Sequence, residues 1–190
     1  MPKIIKNLDE KIKKNALKLF SEHGYDEVDV KLIAKECGMA VGTFYNYYKS
    51  KKELFMDILE NSWECTFQEL SEASELNIPA KEKIKKEIEI LYTGIEQRRG
   101  LGYYVHQRYT FNQEKTEDLG DFNQRIISRL KLMFKPFEKV ESLRGIDDAD
   151  ERLAQTLLLQ ITMNLSVRKD KKEENLKFIE ELILGLLVTD

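Results

Sequence analysis

What the 190-residue chain has little of narrows its class first. Three prolines and nine glycines leave few interruptions, and with 34% charged residues they point to an all-α fold. The length admits one domain or two small ones. The only cysteines, Cys37 and Cys65, cannot build a secreted disulfide framework. Cys37 falls on an apolar helical stripe, where a buried thiol is the simplest reading. The two histidines, His23 and His106, give no pair at metal-ligand spacing and few options for a nucleophilic triad. No glycine-rich phosphate loop follows a strand, so neither a cofactor nor a metal is expected, and the chain does not read as an enzyme. No apolar run reaches the length of a membrane span, and the N-terminus lacks the apolar region of a signal peptide. A cytoplasmic protein that does not enter a membrane is therefore expected. Internal repeats and low-complexity tracts are absent.

What is there centres on residues 28–54, VDVKLIAKECGMAVGTFYNYYKSKKEL. Asp29 is placed to cap a short helix, since its carboxylate can accept from the first free backbone N–H groups. Val30, Ile33, Ala34 and Cys37 follow at helical spacing on one stripe. Gly38 stands where that helix should end in a left-handed residue. The sequence predicts a second helix from Val41 to Tyr48, with Val41, Phe44 and Tyr48 on the core side. Gly42, Thr43 and Asn46 fall on the other side, with Tyr45 and Tyr47 on the two flanks. A helix lying in a DNA major groove wants this distribution, with small or polar groups at base edges and long hydroxyl-bearing groups reaching the phosphates. Ser50 and Glu53 then form a capping box for the next helix, whose N-terminus and lysines suit a phosphate. The formal charge is only −3, but residues 1–54 carry eleven lysines against eight carboxylates, a modest basic bias that two-fold symmetry would double.

These residues resemble the TetR family of bacterial transcriptional regulators. The resemblance runs over about residues 8–56: Ile12, Ala16, Leu19 and Phe20; Gly24-Tyr25; Ile33-Ala34; Gly38; and the run Gly42-Thr43-Phe44-Tyr45-Asn46-Tyr47-Tyr48-Lys49-Ser50-Lys51. It implies DNA contacts from Thr43, Tyr45, Tyr47 and Lys51. Three positions depart from the family's common pattern. Ala40 stands where a polar cap is frequent, Val41 where a basic residue is frequent, and Tyr47 where a histidine is frequent.

Along the rest of the chain, Asn7 and Glu10 suggest a capping box for a first helix running to about His23. A long helix from about Lys51 carries Leu54, Phe55, Ile58, Leu59, Trp63, Phe67 and Leu70 up to the break at 76–79, a strut shared by the two parts. A further helix over 80–99 turns Ile84, Ile88, Leu91, Tyr92 and Ile95 inward, and the glycines at 100 and 102 interrupt it. Residues 103–111 are the densest aromatic segment, divided between core packing and the wall of a small-molecule pocket. A helix is predicted over 116–143, with Pro136 a kink or a stop. The last two helices, about 147–168 and 171–188, carry apolar stripes. Around 182–188 nearly every side is apolar, so that end should be covered both by its own domain and by something else. Two such helices from each of two chains can form a four-helix interface, as the resemblance also implies.

The expectation is an all-α protein: an N-terminal three-helix helix-turn-helix DNA-binding domain over 1–50, and a C-terminal helical ligand-binding and dimerisation domain over 51–190. The candidate DNA contacts are Lys31, Gly42, Thr43, Tyr45, Asn46, Tyr47, Lys49 and Lys51. The candidate ligand wall is Trp63, Phe67, Tyr92, Tyr103, Tyr104, Tyr109 and Phe134, and the candidate dimer interface is Leu157, Ile161, Ile183 and Leu187. The partners expected are double-stranded DNA with a palindromic operator, a second copy of the chain, and a small apolar or aromatic effector that releases a repressor. The alternative is a helical dimeric small-molecule-binding or scaffold protein without sequence-specific DNA binding. It would hold random duplex only as well as its charge allows.

Overall fold

The first helix, α1 (Leu8–His23), forms because Leu8, Ile12, Ala16, Leu19 and Phe20 recur at helical spacing, and all five are buried. It is the first of eight α-helices among the residues that the computed structural model describes, 7–98, 101 and 117–189. Tyr103, Tyr104 and Tyr109 lie outside them. The chain divides into two compact units, residues 1–64 and 65–190.

In the first unit, α1 ends at Gly24, whose φ of 82° favours glycine. Its start differs from the capping box expected of Asn7 and Glu10. Asn7 has a left-handed backbone, φ 59°, where an N-cap is normally extended, and its amide donates to Glu10 Oε2 at 3.3 Å. The next helix, α2 (Val30–Cys37), has the expected ends. Asp29 Oδ1 accepts from the Leu32 N–H at 2.7 Å, and Gly38 closes the helix at φ 66°. Asp29→Ala should lower the unfolding midpoint of this unit, at a cost of about 1 kcal/mol, and Asp29→Asn should restore most of it. A thermal melt followed by circular dichroism decides between these outcomes.

After α3 (Val41–Phe44), helix α4 (Lys51–Ser74) begins, and the division between the units falls within it. Ser50 Oγ accepts from the Glu53 N–H at 3.1 Å. Glu53 Oε2 in return accepts from the Lys49 N–H at 2.6 Å, one residue earlier than in the usual capping box. The unit's core includes an aromatic wedge. Phe55 meets Phe20 edge-on at 5.3 Å and Tyr25 at 4.7 Å, the tilted geometry that aromatic quadrupoles favour.

The second unit holds α5 (Ala80–Gln97), α6 (Glu117–Leu130), α7 (Ala149–Val167) and α8 (Lys172–Leu184). On α5, Ile84, Ile88, Leu91, Tyr92 and Ile95 are buried as predicted. Two predicted helices are shorter than the sequence suggests. The one expected over 116–143 ends as α-helix at Leu130, followed by a 3-10 turn, Lys131–Met133. Pro136 cannot donate to a continuing helix. The Lys139 ammonium takes up carbonyls left free there, those of Phe134 at 2.7 Å and Phe137 at 2.8 Å. The last helix stops at Leu184 rather than near 188. Its tail becomes β2 (Leu187–Val188), paired antiparallel with β1 (Glu138–Lys139) in the register Glu138 to Val188 and Lys139 to Leu187.

Candidate nucleic-acid interface and effector pocket

The recognition segment is helical but not the regular α-helix expected over 41–48. Only Val41–Phe44 is α-helix. Beyond it, the Asn46 and Tyr47 N–H groups bond the carbonyls of Thr43 and Phe44, three residues back, at 3.2 and 2.9 Å. Ala40 offers no side-chain cap, and the short element tightens into the 3-10 pattern common at helix ends. That adds about 20° of rotation per residue, so flanks drawn for a regular helix hold only over the first turn.

Burial then sorts the side chains. Phe44 and Tyr48 are core, as expected, whereas Val41 is exposed. Tyr45 and Tyr47 stand out at 54% and 45% exposure, large aromatic surfaces left in solvent. Lys31, Gly42, Asn46 and Lys49 are also exposed, and Thr43 is half-buried. Lys51 differs. Its ammonium donates to the Tyr25 carbonyl at 2.7 Å and lies 4.1 Å from the centre of the Tyr25 ring. To reach a phosphate it must share or leave that site.

A polar knot fixes the recognition turn from beneath. The Tyr48 hydroxyl can donate to Asp9 or, at 2.9 Å, to Asp57, and the Lys13 ammonium stands 3.1 Å from Asp9 and 2.8 Å from Asp57. The Asn61 amide adds a bond to Asp57 at 2.7 Å. Burial alone would raise the Asp57 carboxyl. Bonds from Lys13, Tyr48 and Asn61 outweigh it and hold the group below its ordinary value of 3.8. The Lys13 ammonium is raised above 10.5, chiefly by its bond to Asp57. The lowered Asp57 stabilises the fold above its ordinary value and ceases to as pH falls through its folded value. The raised Lys13 stabilises below its ordinary value and ceases to as pH rises through its folded value. Stability of the first unit should therefore be level between about pH 5 and pH 9 and fall outside that window. Lys13→Met should lessen the alkaline arm without removing it, because burial and the bonds to Asp9 and Asp57 also raise the Tyr48 hydroxyl, and a pH series of unfolding midpoints would show both contributions.

In the second unit a cavity of about 460 Å³ is walled by Phe67, Leu70, Ile78, Leu132, Met133, Pro136 and Phe137, with Ser71, Ser74, Lys83, Glu87 and Arg129 as its polar groups. An apolar wall with few polar groups is how small-molecule sites are built. Of the predicted ligand residues that the structure describes, only Phe67 lines it. Trp63 lies in the first unit, where it is buried. Tyr92 and Phe134 are wholly buried core of the second unit. The Tyr92 hydroxyl accepts from Asn175 Nδ2 at 3.0 Å. The residue that sequence reasoning passed over is Glu87. It sits on the buried stripe of α5, three residues after Ile84 and four before Leu91, and a carboxylate there was the available signal. Burial pushes its carboxyl up to about 7, against the opposing charge of Lys83.

The predicted dimer residues also need correcting. Leu157, Ile161, Ile183 and Leu187 are buried within the second unit itself. A strong apolar stripe marks the face that enters a helix's own core before it marks an interface. The exposed apolar residues of the same two helices are Leu159, Met163 and Val167 on α7 and Phe178 on α8, at 41%, 51%, 66% and 57% exposure. Among the described residues no helix is long and apolar enough to cross a membrane, and no cluster of acidic, histidine or cysteine side chains could hold a metal ion.

Comparison with known proteins agrees with this geometry. Residues 12–58 match the family model for bacterial regulatory proteins of the tetR family. The uncharacterized HTH-type transcriptional regulator YuxN of Bacillus subtilis is 32% identical over 91 residues, which cover 48% of this chain and 31% of that protein. The chain thus spans about a third of the length of this curated relative. Among solved structures, a putative fatty acid metabolism regulator of Clostridium perfringens superposes with a TM-score of 0.70 at 22% identity, covering 95% of this chain and 100% of that one. AibR, solved in complex with isovaleryl coenzyme A and operator DNA, superposes with a TM-score of 0.69 at 14% identity, covering 95% and 100%. At these identities the structural likeness shows the fold. Residues 12–58 thus carry the N-terminal domain of the tetR family of bacterial regulatory proteins, and the chain has the all-α fold of the TetR-like structures on which it superposes.

Proposed function

We propose that the protein works as a homodimeric repressor that reads a palindromic operator and leaves it when a small apolar effector fills the cavity of the second unit. The observation that carries the reading is the recognition turn. Two solvent-exposed tyrosines accompany Gly42, Thr43 and Asn46 on a segment pinned from below by Phe44 and Tyr48. No packing need accounts for that exposed surface, and a DNA groove does. A DNA-binding domain over 1–50 and an effector-binding and dimerisation domain over 51–190 remain the working division.

In this reading Thr43 and Asn46 face bases, while Tyr45, Tyr47, Lys31, Lys49 and Lys51 reach the backbone. Asn46→Ala should change which base is preferred at one or two positions, by about 1–3 kcal/mol each. Tyr45→Phe should weaken all sequences alike, and Lys49→Ala should also reduce the salt slope, because it removes one displaced counterion charge. Gly42 separates folding from binding. A methyl group there would meet no atom within 4 Å, so Gly42→Ala should leave the fold intact or firmer. If that position lies against the groove wall, the same variant loses DNA affinity. Binding titrations of these variants against single-base operator changes at two salt concentrations test the assignment. A rank order scrambled by Tyr45→Phe but untouched by Asn46→Ala would reverse it.

Dimerisation is proposed through Leu159, Met163, Val167 and Phe178, since an exposed apolar face on two adjacent helices suits an isologous interface. Release follows as a coupling between sites. Effector and operator favour different separations of the two heads, so each weakens the other. AibR, with its acyl coenzyme A and operator, is a protein of the same fold carrying both kinds of ligand.

A further inference from the structure

We propose that the cavity of the second unit takes an apolar molecule with a protonated amine at one end, and that the Glu87 carboxylate receives that amine. The inference rests on the cavity being the effector site and names the chemistry of what enters it.

Glu87 carries the argument by its place. It is 4% exposed, it lines the cavity, and its Oε2 has no hydrogen-bond partner among the described residues. A buried polar atom without a partner is rare because it forfeits its water and gains nothing in exchange. Such atoms persist where something else supplies the bond. The surroundings offer little help. Phe67, Leu70, Met133 and Phe137 are carbon surfaces, and the hydroxyls of Ser71 and Ser74 come from α4.

Among the described residues, the charged groups that face the cavity beside Glu87 are Lys83 on α5 and Arg129 on α6, and each has a place already. The Lys83 ammonium donates to the Ser74 carbonyl at 2.6 Å, and the Arg129 guanidinium lies 3.7 Å from the centre of the Phe67 ring. Glu87 is therefore the cavity's one side chain that is buried, anionic when ionised, and short of a donor among the described residues. A ligand ammonium satisfies it with a charge-assisted hydrogen bond while the ligand's carbon body covers the apolar wall. A ligand carboxylate in the same place would set acceptor against acceptor and be repelled.

Protonation supplies the readout. With the Glu87 carboxyl pushed up to about 7, the unliganded site is largely neutral in mild acid and ionised in mild alkali. A ligand that needs the ionised form must expel a proton when it binds near neutrality. Across this range an alkyl amine stays protonated, so the pH dependence belongs to Glu87.

The test is isothermal titration calorimetry of the full chain, without DNA, with phenylbutylamine and with its carboxylate counterpart phenylbutyrate. The amine is expected to bind about tenfold more tightly at about pH 8 than at about pH 6, as the ionised fraction of one carboxyl requires. Near pH 7, buffers of different ionisation enthalpy should report release of about half a proton in wild-type protein. Glu87→Gln, which removes the charge and keeps the shape, should abolish both the pH dependence and the proton release. If phenylbutyrate binds and the amine does not, the cavity remains an effector site and the head-group assignment fails alone. If neither compound binds, the effector reading of this cavity fails with it. Amine affinity that is indifferent to pH and to Glu87→Gln overturns the role of Glu87 even if the amine binds.

Discussion

Replacing Met163 and Phe178 together with glutamate is expected to give a folded monomer whose operator affinity falls by about two to four orders of magnitude. Both side chains are more than half exposed, so the change removes nothing from the core and the unfolding midpoint should hold. It does place two charges on each copy of a self-complementary face, where like charges meet across the symmetry axis. A second head on the same dimer binds at an effective concentration in the millimolar range, and a monomer forfeits that advantage. Sedimentation velocity reads the oligomeric state, and a titration on one operator reads the affinity. A variant that still sediments as a dimer with unchanged affinity would put the interface elsewhere. Ile183→Glu and Leu187→Glu are not equivalent tests. Those residues are buried in the unit's own core, and a charge there unfolds the protein before it separates two copies.

Phe44→Ala should destabilise the first unit by about 3–5 kcal/mol, much of what a small domain has. The ring is fully buried, and Tyr45 and Tyr48 stand around it at centroid distances of 5.5 and 5.9 Å. The Phe44 carbonyl also accepts from both Tyr47 and Tyr48, so a collapsed site would shift the turn that carries the exposed tyrosines. Specific DNA binding is expected to vanish at temperatures where the second unit remains folded. Urea titrations followed by tyrosine-region and amide NMR signals would separate the two units. A Phe44→Ala protein with wild-type stability would show that the ring does not hold the core together as its burial suggests.

Much of the head was legible because its signals are local. Asp29 caps, Gly38 turns left-handed, and the stripes on α1 and α2 follow helical spacing, each of which a short window contains. The recognition segment was less so. Whether residues 45–47 continue as α-helix or tighten depends on the lost cap at Ala40 and on Tyr48 being drawn down to Asp9 and Asp57, which come from α1 and α4. The position of Lys51 suggests a phosphate contact, but no local pattern signals the bond its ammonium makes to the carbonyl of Tyr25, 26 residues earlier. In the second unit, periodicity told core from surface but not core from pocket. Tyr92 and Leu70 occupy similar positions on amphipathic helices, yet one is sealed by Asn175 and the other borders a cavity. The stripes of α7 and α8 misled for the same reason. A helix with apolar residues on two faces declares neither which face is inside nor which meets a partner.

The most direct test of the central claim is selection of duplexes from a random pool by the full-length protein, at a salt concentration that suppresses non-specific binding. Recovered sequences should contain inverted repeats whose half-sites lie about one helical turn apart, roughly 34–36 Å, on the same side of the duplex. Their enrichment should disappear with Asn46→Ala, or move to a different base. A pool that shows no sequence enrichment, or one that returns direct repeats, would contradict a symmetric operator-reading dimer.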